Sequence, residues 1–107
     1  MNMKKDIIII ADYTEDVSLS LEEICEICEI QSMMMRDMIA YDIVLPRGSE
    51  PDEWLFDMAQ LKRLRTALRL QRDLELNLAG ISLVLHLLEQ MEELRARTTI
   101  LDKHLLK

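Results

Sequence analysis

The chain has 107 residues, half of them hydrophobic, and a formal net charge of −7, which suits one domain around one modest core and excludes a second. Only Tyr13, Tyr41, Trp54 and Phe56 are aromatic, so the core has to come from Leu, Ile and Met, which favours a mainly α fold over a sandwich or barrel. The run most like a membrane span, residues 76–88, is too short and is interrupted by Asn77, Ser82 and His86, so no bilayer crossing is expected.

Taken in order, the N-terminus carries Lys4 and Lys5 and then four isoleucines, Ile7 to Ile10. That apolar stretch is too short for a secretion signal and lacks a small-residue cleavage site, so a cytoplasmic location is expected. The β-branched run predicts a short strand over residues 5–13, followed by a polar connector to residue 19. Ser20-Leu21-Glu22-Glu23 has the spacing of a capping box and predicts a helix start. Leu21, Ile24, Cys25 and Cys28 follow at i, i+3, i+4 and i+7 as the buried stripe of that first helix. Glu22, Glu26 and Glu29 fall on the other face as an acidic ridge, either a solvated face or a partner contact.

Cys25 and Cys28 are the only cysteines. Their Cys-x-x-Cys spacing invites a zinc or redox reading, but zinc takes about four ligands, and His86 and His104 lie far off on another predicted helix. A redox motif belongs between a strand and a helix start; this pair sits inside a helix and reads as two buried thiols filling the core. No metal site is expected.

Ser32 is expected to cap a second helix, with Met35, Met38 and Ile39 facing inward and an end near Tyr41 or Asp42. Met33 and Met34 are then partly exposed, where they either cover a gap in the core or meet a partner. Ile43-Val44-Leu45-Pro46 reads as a short extended piece, residues 47–53 as a loop, and Trp54-Leu55-Phe56 as the returning strand of a hairpin. Asp57-Met58-Ala59-Gln60 is a second capping-box pattern, opening a third helix to about Glu75. Leu61, Leu64 and Leu68 form its apolar stripe. Lys62, Arg65, Arg69 and Arg72 line another face, read as solvated or paired within the chain.

Asn77 is placed to cap a last helix whose third residue, Gly80, leaves room for a neighbouring element to approach. Ile81, Leu85 and Leu88 suit packing against the body, and His86 reads as a half-buried spacer. Val84, Leu87, Met91, Leu94, Thr98, Leu101 and Leu105 alternate by three and four residues, the spacing of a coiled-coil seam. A single copy has nothing to cover that seam, so Leu87, Met91, Leu94 and Leu101 are expected to hold a homodimer. One domain, 1–107, results: strand and connector over 1–19, the central helices over 20–75 and the long helix over 76–107.

Charge divides unevenly. Residues 1–57 hold four basic against fourteen acidic side chains, and residues 58–107 hold nine against six. An acidic first half is a poor phosphate binder and suits a basic protein partner. No Gly-rich phosphate loop, nucleophile–base set or metal quartet is present, so neither catalysis nor a cofactor is expected.

Helix, tight turn, helix, proline-entered hairpin and acid-capped helix resemble, in that order, the winged helix-turn-helix of MerR regulators. Ile43-Val44-Leu45-Pro46 stands where those proteins step into the wing, and Phe56-Asp57-Met58-Ala59-Gln60-Leu61-Lys62-Arg63-Leu64 matches their Tyr-x-x-x-Asp-Leu-x-x-Leu run. Residues 69–85, with Arg69-Leu70, Asp73-Leu74, Leu76-Asn77 and Gly80-Ile81, are similar to the chaperone modulator CbpM family. That resemblance covers roughly residues 20–106. It implies an inhibitor that binds the J-domain of a DnaJ-type co-chaperone (CbpA-like) and limits its stimulation of Hsp70. A J-domain presents a basic helix, and Glu22, Glu26, Met33, Met34 and Asp37 are the residues expected to meet it, by charge steering and adaptable methionine packing.

The alternative is a MerR-like DNA-binding regulator. The positions that would read DNA in such a protein fall here on Asp37, Met38 and Ile39, and the wing carries Glu50, Asp52 and Glu53. Phosphate contact and base readout both call for cations, so DNA is not the expected partner.

Overall fold

The computed structural model describes residues 17–105; the isoleucine strand expected over 5–13 lies outside them. The order is β1 (Leu19–Ser20), α1 (Leu21–Cys28), α2 (Ser32–Ala40), a 3-10 turn (Pro51–Glu53), β2 (Leu55–Phe56), α3 (Met58–Leu74) and α4 (Leu78–Leu105). The fold is mainly α, with a helix-turn-helix and a small wing, as the sequence predicts.

α1 begins where its capping box places it. The Ser20 hydroxyl accepts from the Glu23 N–H at 3.1 Å, and the Glu23 carboxylate accepts from the Ser20 N–H at 3.0 Å. The helix stops at Glu29, whose φ of 56° puts it in the left-handed region; the Ile30 N–H then reaches back to the Cys25 carbonyl at 3.0 Å. Three residues, Glu29 to Gln31, separate α1 from α2. Its N-cap is Gln31, which makes no side-chain cap bond, rather than the expected Ser32. The turn is so short that Ser32 already belongs to the first helical turn.

The strand pairing also differs from a simple hairpin. Leu55–Phe56 pairs antiparallel with Leu19–Ser20, and across its other edge Leu55 makes a single two-bond bridge with Arg47, at 2.9 and 3.0 Å. Leu19, assigned to a polar connector by its neighbours, is the apolar residue that drives this pairing. It is buried, opposite the fully buried Phe56.

Asp57 caps α3 by accepting from the Gln60 N–H at 3.0 Å, but the reciprocal half of the expected box is absent. The Gln60 carboxamide oxygen accepts instead from the Leu45 N–H at 2.8 Å. Asn77 caps α4, accepting from the Gly80 N–H at 2.8 Å. A side chain at Gly80 would meet that same Asn77 carboxamide at 3.2 Å, so the glycine makes room for the cap rather than for a neighbouring element.

The core sits between the helix-turn-helix, the wing and α3, with Ile24, Met35, Met38, Ile43, Val44, Phe56, Leu61, Leu64 and Ile81 fully buried. Ile27 joins it outside the expected α1 stripe, because α1 packs on α2 and on both strands. α4 touches this body only through its first turns. Leu85 is its last buried residue, and Leu88, expected to face inward, is 45% exposed. Every residue from 86 to 105 is exposed.

Candidate partner-binding face

The exposed side of the helix-turn-helix is assembled from α1, α2 and the wing. Glu22 stands in the first turn of α1, where the helix dipole favours a negative charge. Its neighbour Glu23 is committed to the capping box, so the acids that α1 presents outward are Glu22 and Glu26, with Glu29 at its end. On α2, Met33 is 73% exposed and shares an outward stripe with Arg36 and Asp37 at i+3 and i+4. Met35 and Met38 point the other way into the core.

Glu22 and Arg36 line one groove together with Ser20, Leu21, Pro51, Asp52 and Trp54. The groove runs between the start of α1, the middle of α2 and the wing. It offers two carboxylates, an indole edged by apolar Leu21 and Pro51, and one guanidinium. Carboxylates beside an indole suit a basic side chain, by ion pairing and by attraction of the cation to the ring.

Of the five residues expected to meet a partner, the structure places Glu22 in this groove, Met33 and Asp37 on the α2 stripe beside it, and Glu26 one turn along α1. Met34 stands apart: it is half-buried and packed against the core. Arg36 and Trp54 were not singled out from the sequence. Arg36 had a signal, its i+3 spacing from Met33; Trp54 had none beyond being the only tryptophan.

The same geometry bears on DNA readout. Of the three α2 positions aligned with DNA-reading residues, Met38 is fully buried, Ile39 packs against the core and Asp37 alone is exposed. The wing's Arg47 is exposed and donates to the Ser18 hydroxyl at 3.1 Å.

The profile described as MerR HTH family regulatory protein matches residues 19–103. Among curated proteins, the chaperone modulatory protein CbpM of Pseudomonas entomophila is 32% identical over 89 residues, 83% of this chain and 88% of its own length. CbpM of Coxiella burnetii is 33% identical over 85 residues, 79% of this chain and 80% of its own. CbpM of Pseudomonas putida is 33% identical over 89 residues, again 83% and 88%. The chain belongs to the CbpM family of MerR-like helix-turn-helix proteins. These relatives are named as modulators, and the MerR-type profile runs from β1 to near the end of α4.

That exposed helix is the second candidate surface of this CbpM-family chain. Leu87, Met91, Leu94 and Leu101 are 47%, 66%, 65% and 60% exposed, while Val84, the first seam residue, is half-covered by the body. Leu83, Leu88 and Ile100 are exposed apolar residues beside the seam.

Cys25 is buried and Cys28 half-buried, both as free thiols. Burial pushes both pKa values up; at Cys28 the nearby Arg65 guanidinium partly offsets it. Among the described residues no group of three or more His, Cys, Asp or Glu side chains is placed to hold a metal ion, and no helix is long and apolar enough to cross a membrane. His86 is exposed rather than half-buried, with its Nε2 3.2 Å from the Gln90 amide nitrogen.

Proposed function

We propose that this protein is a non-catalytic, cytoplasmic modulator that binds the J-domain of a DnaJ-type co-chaperone and limits its stimulation of Hsp70. The observation that carries the reading is the kinship with chaperone modulatory proteins over 79–83% of the chain. The acidic face supports it physically. Glu22, Glu26 and Asp37 attract a basic helix, the Glu22–Asp52–Trp54 groove receives one of its cationic side chains, and Met33 supplies an adaptable apolar contact. Met34 acts from beneath, holding α2 in place. The active form is a homodimer joined along Leu87, Met91, Leu94 and Leu101.

The test is binding of purified J-domain to the immobilised protein at two salt concentrations, beside an ATPase assay of the matching Hsp70. Binding that weakens as salt rises, with loss of co-chaperone-stimulated ATP hydrolysis, is the expected result. A J-domain that fails to bind at tens of micromolar, about −6 kcal/mol, overturns it.

DNA binding is the second reading, favoured by the MerR-type fold alone. A gel shift at low salt separates the two, because phosphate-driven binding appears there and falls steeply as salt is added.

A further inference from the structure

α3 carries a surface that the modulator reading leaves unused. Lys62, Arg65, Arg69 and Arg72 recur at i, i+3, i+7 and i+10, which places them within one stripe about 15 Å long. Together with Thr66, Leu68 and Cys28 they line a groove between α3 and the end of α1. No carboxylate of the described residues lines it. Among the described residues the one member with an ion pair is Arg72, which meets Asp73 at 3.0 Å at the far end. Arg63, on another side of the same helix, shows the contrast: it is committed to the carbonyls of Ile43 and Asp42 and to Glu89. Cys28 and Leu68 give the groove an apolar floor, and Arg65 lies near enough to Cys28 to act on its titration. This groove shares no lining residue with the acidic one around Trp54.

We infer that the α3 groove docks a short acidic peptide segment of a protein partner, with its carboxylates on Arg65 and Arg69 and an apolar side chain against Leu68 and Cys28. Charge complementarity selects the sign: four cations gathered in a chain of net charge −7. The surroundings select a peptide over a nucleic acid. A phosphate rod extends past the Arg72 end of the groove, where exposed Asp73 and Glu75 follow in sequence. Like charges repel across about 10 Å at 0.1 M salt. A peptide places negative charge only where the cations stand, and its apolar side chain uses the floor, which a sugar-phosphate backbone does not. About five extended residues span the stripe at roughly 3.3 Å each.

The experiment uses the full chain and a fluorescein-labelled peptide of Glu-Asp pairs separated by single leucines, followed by anisotropy. Saturable binding is expected, weakened roughly tenfold in Arg65→Glu/Arg69→Glu as exposed ion pairs turn repulsive. A control pair with the same charge change on α4, Arg95→Glu/Lys103→Glu, is expected to bind within about twofold of the parent protein, where electrostatics local to the groove dominates. All four residues are exposed, and circular dichroism confirms that both variants fold. Bound peptide should also slow alkylation of Cys28, read by mass spectrometry.

Several results overturn the proposal. They are no saturation by about 100 µM, equal loss in both variants, an unprotected Cys28, and tighter binding of a single-stranded oligonucleotide of equal charge. Peptide binding that appears only after deletion of residues 1–16 does so too, since the chain's own Asp6, Asp12, Glu15 and Asp16 would then be the occupant.

Discussion

Arg63 donates from Nε to the carbonyl of Ile43 at 2.7 Å and from Nη2 to that of Asp42 at 3.1 Å, so α3 holds the exit of the helix-turn-helix by its backbone. Gln60 holds the same segment through the Leu45 N–H, and Ser82 of α4 through the Tyr41 carbonyl at 2.8 Å. Asp42 is in the left-handed region with φ of 59°, and residues 41–45 belong to no helix or strand. The N–H groups of Tyr41, Asp42 and Ile43 bond back to carbonyls of α2, while three side chains serve the carbonyls of those residues and the Leu45 N–H. Arg63 also pairs with Glu89, which ties this latch to α4.

Removing the Arg63 fork should therefore unseat the wing entry. Arg63→Ala is expected to lower stability by about 1.5–3 kcal/mol, the range for bonds made by a charged donor. Urea unfolding reads this as a shifted midpoint with an unchanged slope. Arg63→Lys keeps the charge but not the two-pronged geometry, and should recover less than half of the loss. Full recovery by lysine would mean that charge alone matters here.

The buried thiols give the protein an alkaline limb. Both folded-state pKa values lie above the ordinary 9.0 because burial disfavours the thiolate. The unfolded chain then loses its thiol protons first as pH rises. The contribution to stability is complete below pH 9.0 and is lost as pH climbs through the folded pKa values. Cys25→Ala/Cys28→Ala should flatten that decline relative to the parent protein. It should also cost up to about 1–3 kcal/mol at neutral pH for the buried Cys25, and less for half-exposed Cys28. J-domain binding should survive. Stoichiometric zinc in the purified protein would refute the structural role.

The seam on α4 makes a prediction about mass. A helix running through residues 86–105 with no packed face is marginal in water on its own, and a second copy packing on Leu87, Met91, Leu94 and Leu101 removes the difficulty. Sedimentation should give a dimer at micromolar concentration and a monomer for Leu94→Glu/Leu101→Glu, with helicity lost along α4. A parent protein that sediments as a monomer would leave the seam unexplained.

What the sequence discloses depends on the reach of each signal. Contacts made within one turn are legible: the Ser20–Glu23 box, the Asp57 and Asn77 caps and the exposed seam all follow from spacings of three or four residues. Contacts made across the fold are not. Gln60 carries the right residue type for a capping box, yet serves Leu45. Leu19 is hidden by polar neighbours until Phe56 pairs with it. The groove behaves the same way, because Glu22, Arg36 and Trp54 come from three separate elements and meet only in the folded chain.

Charge and packing on the acidic face should separate kinetically. Glu22 and Glu26 are exposed, so they act mainly on encounter. Glu22→Lys/Glu26→Lys should slow association with a J-domain several-fold and reduce its dependence on salt, with dissociation little changed. Met33, 73% exposed on the α2 stripe, is the proposed apolar contact. Met33→Asp should instead speed dissociation, since interface packing is expressed chiefly in the off-rate. Met34→Asp is the informative comparison. Its side chain packs against the core, so a charge there should lower stability as well as affinity, whereas Met33→Asp should leave the unfolding midpoint nearly unchanged. Binding traces for the three variants, beside their urea midpoints, distinguish the roles. If Met33→Asp and the double lysine variant both bind like the parent protein, the J-domain docks on some other face.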